Sequence, residues 1–139
     1  MPLKAYKNMN AYKLFVLDVG LLGAMSELPA ESILEGNDIF VEFKGALTEQ
    51  YVLQQLISDT PYTPYYYGNE KATFEQDFLI QKAKSIVPIE VKAEQNIRSH
   101  SLKTYCEKFQ PEEAVRFSTL KYKEQERMVN IPLYAVCNL

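Results

Sequence analysis

Two runs of residues, Thr73 to Gln81 (TFEQDFLIQ) and Ser85 to Ala93 (SIVPIEVKA), stand on either side of a tight polar turn at Lys82 to Lys84. This hairpin constrains the fold more than any other stretch. Side chains alternate faces along a strand, so Glu90 and Lys92 share one face while Ile89 and Val91 take the other. If the turn is centred near Ala83 and Lys84, residues whose numbers sum to about 167 stand opposite each other. Asp77 then faces Glu90, Glu75 faces Lys92, and all four are expected on one face. Two ionised carboxylates opposed at about 5 Å repel, so a cation, either Lys92 or a metal, is expected between them. Pro88 counts against a central position for its strand, because proline lacks a ladder donor.

Ahead of the hairpin, Asp38 to Ser58 reads as a helix and Tyr62 to Gly68 (YTPYYYG) as a further strand. Asp18 is placed to cap a small helix over Val19 to Met25, beyond the apolar run Lys13 to Leu17. After the hairpin, Leu102, Tyr105, Cys106 and Phe109 recur at helical spacing with Pro111 just beyond, and EAVRFSTL and VNIPLYAV read as closing strands. The order from residue 37 is helix, three strands, helix, strand, strand, an α/β (α+β mixed-sheet) class. Within the first long helix, Gly45, Ala46, Val52, Leu53, Leu56 and Ile57 lie three, four, seven or eight positions from Glu49. That puts a carboxylate on the apolar stripe, where it has to be hydrogen-bonded, paired with a cation or near a metal.

Composition narrows the function classes. A chain of 139 residues that is 47% hydrophobic and 12% aromatic can bury one real core. With 15 basic and 18 acidic residues the net charge is -3, which argues against a protein that coats polyanions, though an acidic pocket can still act on nucleic acid. Cys106 and Cys137 have no metal-type spacing, and one bridge between them is possible but not demanded. No cleavable leader and no apolar run of membrane-spanning length is visible, so a reduced, cytoplasmic, soluble domain without a membrane partner is expected. The tyrosines 62, 65, 66 and 67 could stack on bases, or form a strand with one face in the core.

Glu49, Asp77, Glu90 and Lys92, in this order on this frame, resemble the PD-(D/E)XK, or restriction-endonuclease-like, superfamily. More closely, KLFVLDVGLL at 13 to 22, Thr48 to Val52, Glu75 to Phe78, IEVKAEQNIRSHSL at 89 to 102 and NIPLYAV at 130 to 136 look like an uncharacterised C-terminal domain that follows the ATPase module in many prokaryotic AAA-type ATPases. The resemblance implies a restriction-endonuclease-like αβββαβ core over 37–139, with 1–36 as an N-terminal strand and helix extension packed on it. It implies that Asp77 and Glu90 are metal ligands, Lys92 the catalytic lysine and Glu49 an auxiliary helix acid that also faces the metal. Lys71, Arg98 and His100 are the candidate substrate contacts, although His100 beside Arg98 equally fits a solvated helix start. Gln76 stands where the family motif has proline, and Gly68-Asn69 replaces its aromatic-basic pair. With no GxxxxGK[ST] the chain has no P-loop of its own, so the ATPase module is an expected partner missing from this chain.

Oxygen ligands suit Mg²⁺ or Mn²⁺ and do not suit zinc. The chemistry expected is phosphodiester hydrolysis of DNA or RNA, with the metal activating a water and Lys92 orienting it or the phosphate. The other class is a non-catalytic nucleic-acid or protein recognition module that regulates its ATPase, since a fold does not fix an activity.

Overall fold

The computed structural model describes residues 2–29, 31, 38–68, 74–93 and 100–139. Its centre is a six-stranded mixed sheet of β1 (Tyr65–Gly68), β2 (Glu75–Lys82), β3 (Ser85–Lys92), β4 (Ala114–Ser118), β5 (Lys123–Gln125) and β6 (Met128–Pro132), in spatial order β1-β2-β3-β4-β6-β5. The helices are α1 (Val19–Met25), α2 (Asp38–Asp59) and α3 (His100–Phe109), with short 3-10 turns at Leu3–Tyr6 and Leu133–Asn138. The strands β1, β2 and β3 form an antiparallel meander, and β4 and β6 then add in parallel. Parallel neighbours need a crossover, which α3 supplies between β3 and β4.

The expected hairpin register holds from Phe78↔Ile89 to Lys82↔Ser85. Ala83, in the two-residue connection, has φ 51°, a left-handed conformation that favours glycine. Pro88 does occupy an interior strand, opposite Leu79, but the ladder to β4 begins one residue later at Ile89, so its missing N–H is tolerated.

Beyond Phe78 the simple alternation breaks. Between the pairs Tyr65↔Leu79 and Tyr67↔Gln76, β2 advances three residues while β1 advances two, so β2 carries a bulge. The bulge turns Glu75 toward Lys13 and Gln76 toward Glu90, and the expectation that residues 75, 77, 90 and 92 share one face fails here.

Val52 and Leu56 of α2 pack against Phe78, Ile80, Val87, Ile89, Val115, Phe117 and Val136 to form the core. The stripe on α2 is narrower than the spacing suggested, because Ile57 is exposed and Glu49 is only half-buried, at the edge. Among the described side chains of this helix the buried polar residue is instead Gln50. The other side of the sheet is covered by α3, whose buried residues are Leu102 and Tyr105. Tyr105 stacks with Tyr67 and Phe109 in an aromatic cluster that Phe74 extends.

The run Lys13 to Leu17 is an extended connection outside the sheet, with Leu14 and Leu17 exposed. It lies along α2. Asp18 caps α1 by accepting from the Leu21 N–H at 2.8 Å, as its position predicts. The closing run also differs from expectation: β6 stops at Pro132 and residues 133–138 coil into a 3-10 turn that buries Val136. The edge strand β5, charged and exposed, had no apolar alternation to betray it. Both cysteines are free thiols. No helix among the described residues is long and apolar enough to cross a membrane.

Candidate functional site

The bulged end of β2 brings the predicted acids close to two lysines. Glu90 and Lys92 point the same way, as period two requires, and Lys92 Nζ lies 2.7 Å from Glu90 Oε1. The Glu90 side chain is 4% exposed and that of Lys92 30%, so this is no solvated strand face. Gln76 fixes the other carboxylate oxygen, its Nε2 donating to Glu90 Oε2 at 3.2 Å and to the Ile89 carbonyl at 2.6 Å. Gln76 Oε1 is buried and has no hydrogen-bond partner.

Asp77 does not stand opposite Glu90 in the ladder. Its Oδ2 instead accepts from the Val91 N–H at 2.7 Å, in the gap that the bulge opens between β2 and β3. Burial, the Glu90 charge and then Glu49 push the Asp77 carboxyl up to about 7, against the Val91 hydrogen bond and Lys13, which pull it down. A carboxyl poised near neutrality by desolvation and like charges is the kind of group found in functional sites.

Glu49 reaches the same region from α2. Lys13 Nζ donates to Glu49 Oε1 at 2.9 Å, pairs with Glu75, and sits 5.6 Å from the centre of the Tyr66 ring. Burial lowers the Lys13 pKa, but the hydrogen bonds to Glu75 and Glu49 outweigh it and leave the ammonium above its usual value. Lys13 is placed by its chain neighbours: Gln50 accepts from the Val16 N–H at 3.1 Å and donates to the Val16 carbonyl at 3.0 Å, and Gln54 accepts from the Val19 N–H at 3.0 Å.

A third cation lies deeper. Arg116 of β4 stands beside Glu90 in the parallel register and is almost fully buried. Burial lowers its pKa and the Glu90 charge opposes that shift. Its Nε donates to Asn130 Oδ1 at 3.0 Å, an oxygen that also accepts from Ser118 Oγ at 2.7 Å. Sequence reasoning missed Lys13, Gln76, Arg116 and Asn130. The signal for Arg116 was a charge inside an otherwise apolar strand, whereas Lys13, 36 residues before Glu49, offered none.

Of the other candidates, His100 is exposed at the start of α3, while Lys71 and Arg98 lie outside the described residues. The tyrosines divide. Tyr67 belongs to the aromatic cluster on α3, whereas Tyr62, Tyr65 and Tyr66 line a cavity of about 550 Å³ with Lys13, Phe15 and Phe78.

The side chains here that could ligate an ion, the carboxylates of Glu49, Asp77 and Glu90 and the orphaned amide oxygen of Gln76, offer oxygen atoms, a ligand type that suits Mg²⁺ or Mn²⁺. As arranged, no three His, Cys, Asp or Glu side chains among the described residues are gathered tightly enough to hold an ion. The positive charges next to the acids are Lys13, Lys92 and Arg116.

A family profile described as a domain of unknown function (DUF4143) matches residues 44–136. No curated protein and no solved structure matches the chain.

Proposed function

We propose a function from one premise: this chain belongs to the DUF4143 family, a domain of unknown function, so its chemistry has to come from its own residues. We infer a PD-(D/E)XK-type, restriction-endonuclease-like module that hydrolyses phosphodiester bonds of DNA or RNA and works beside an AAA-type ATPase module. The observation that carries this reading is Asp77, which accepts from the Val91 N–H beside the Glu90–Lys92 strand and whose carboxyl is pushed up to about 7 by burial and the charges of Glu90 and Glu49. Asp77, Glu90 and Glu49 would hold Mg²⁺ or Mn²⁺, and the bound ion would supply an activated water and neutralise phosphate oxygens.

The remaining work falls to the chain itself. Gln76 and Lys92 grip the two oxygens of Glu90 and so fix its orientation. Lys92, partly exposed, can turn an N–H toward a phosphate oxygen or an attacking water. Tyr62, Tyr65 and Tyr66 offer ring surface in the adjoining cavity on which bases can stack.

The test is cleavage of DNA and RNA with Mg²⁺ or Mn²⁺ at low salt, because a net charge of -3 gives weak affinity for polyanions. Lys92→Ala is expected to lose about a hundredfold or more in rate. Equal cleavage by wild type and variant points to a contaminating nuclease. A second reading, a non-catalytic recognition or regulatory module for the ATPase, is favoured by the engagement of Glu49, Asp77 and Glu90 with protein donors. Absence of cleavage with metal demonstrably bound selects it.

A further inference from the structure

We infer that the tyrosine cavity selects unpaired nucleic acid: Tyr62, Tyr65 and Tyr66 take bases that are not held in a duplex, so the strand presented to the acids is single. The inference deepens the nuclease reading above and rests on it for the choice of nucleic acid.

The three rings are available. Their neighbour Tyr67 packs against Phe74, Tyr105 and Phe109. Among the described residues, the rings of Tyr62, Tyr65 and Tyr66 stack on no other ring and their hydroxyls have no hydrogen-bond partner. All three are partly exposed and line the cavity of about 550 Å³, and a second cavity of about 340 Å³ shares Tyr62 and Tyr65 with it and has Lys4 in its wall. Free ring faces accept any base, for about tenfold or more in affinity per stacked base. In a duplex each base is covered on both faces by its neighbours, so only an unpaired base can enter. The cavity is continuous with the acid site, because its wall includes Phe78, next to Asp77, and Lys13, which is paired with Glu49 and stands 5.6 Å from the centre of the Tyr66 ring.

Charge contributes little here. Lys13 is matched by both Glu49 and Glu75, so that end of the cavity does not attract phosphate. Of the two lysines in the cavity walls, Lys4 is exposed and, among the described residues, in no ion pair. With one phosphate neutralised, affinity for a single strand should fall only about threefold between about 50 and 200 mM salt.

The test is binding in EDTA, where turnover does not intervene. Fluorescein-labelled single strands of about 12 nucleotides, DNA and RNA, and the matching DNA duplex are titrated by anisotropy. The single strands are expected to bind about tenfold or more tightly than the duplex. Tyr65→Leu and Tyr66→Leu should each lose about tenfold, whereas Tyr65→Phe and Tyr66→Phe, which keep the ring, should stay within about twofold of wild type. A duplex bound as well as the strand, leucine variants as tight as wild type, or a salt loss of about a hundredfold over that range overturns the inference. The nuclease reading then rests on cleavage of the duplex alone. Ring-dependent strand binding without cleavage under either divalent ion keeps the inference and moves the function to the recognition module. If neither strand nor duplex binds, both readings fall together. Should a leucine variant fail to fold, photocross-linking of a strand carrying 5-iodouracil to the wild-type protein decides. Cross-links mapped by mass spectrometry to Tyr62, Tyr65 or Tyr66 support the inference, and cross-links elsewhere, or none, overturn it.

Discussion

Replacing Asp77 by Asn should make the protein more stable, and the gain should depend on pH in a defined way. The carboxyl is pushed up from 3.8 to about 7, by burial first and by Glu90 and Glu49 after it. A folded-state value above the unfolded one means that the native state holds the proton more tightly. The associated stability is fully present below about pH 4 and is lost as pH rises through about 7. At 1.36 kcal/mol per unit, a rise of roughly three units sets a ceiling of about 4 kcal/mol. Relaxation around a partly accessible carboxylate brings the expected figure to about 2–4 kcal/mol, still a large share of the stability of an ordinary domain. Asparagine mimics the protonated acid and keeps an oxygen for the Val91 N–H. Urea titrations of wild type and Asp77→Asn at pH 4, 5.5 and 8, without divalent ions, give the difference directly and cancel the titrating groups that Asp77 does not influence. The curves should nearly coincide at the lowest pH and separate fully at the highest. A difference that stays flat with pH, or a variant weaker than wild type at pH 8, would show that the acids do not strain one another.

Three further outcomes are expected. Lys92→Ala should cost about 1–3 kcal/mol, because Glu90, 3% exposed, loses its ammonium partner. Adding Glu90→Gln should recover much of the loss in a double-mutant cycle. Gln50→Ala removes both hydrogen bonds to the Val16 peptide and should cost about 1–3 kcal/mol, with limited proteolysis over residues 13–19 accelerating before the core unfolds. Ala83→Gly should raise the melting temperature slightly, by about 0.5 kcal/mol of stability, since φ 51° is free of strain only for glycine. An unchanged or lower melting temperature would place the hairpin strain elsewhere.

Much of the fold was legible where a local rule governs. Period two and a two-residue connection set the β2–β3 register, and an aspartate before an apolar segment marked the start of α1. The candidate site was legible in its membership but not in its arrangement. Alternation assigns Glu75 and Asp77 to the face of Glu90, and only the pairing with β1, which involves residues far along the chain, reveals the bulge that separates them. On α2, helical spacing pointed to Glu49 as the buried polar group. Gln50 takes that place because its amide pairs with the peptide of Val16, a contact between residues 34 apart in sequence. The strand β5 is readable only through its partner β6, since its own residues are polar and exposed.

The extra residue in β2 also determines which chain lengths this region tolerates. Upstream of it, the polypeptide runs one step out of phase with the rest of the strand, so the spatial address of each side chain from Glu75 to Asp77 depends on the count as well as on chemistry. Deleting one residue there would leave the composition almost untouched and exchange the destinations of Glu75 and Gln76, taking a carboxylate away from Lys13 and an amide away from Glu90. Point substitutions at Glu75 should therefore be milder than a single-codon deletion beside it, an asymmetry that substitution and deletion scans across residues 74–78 would display.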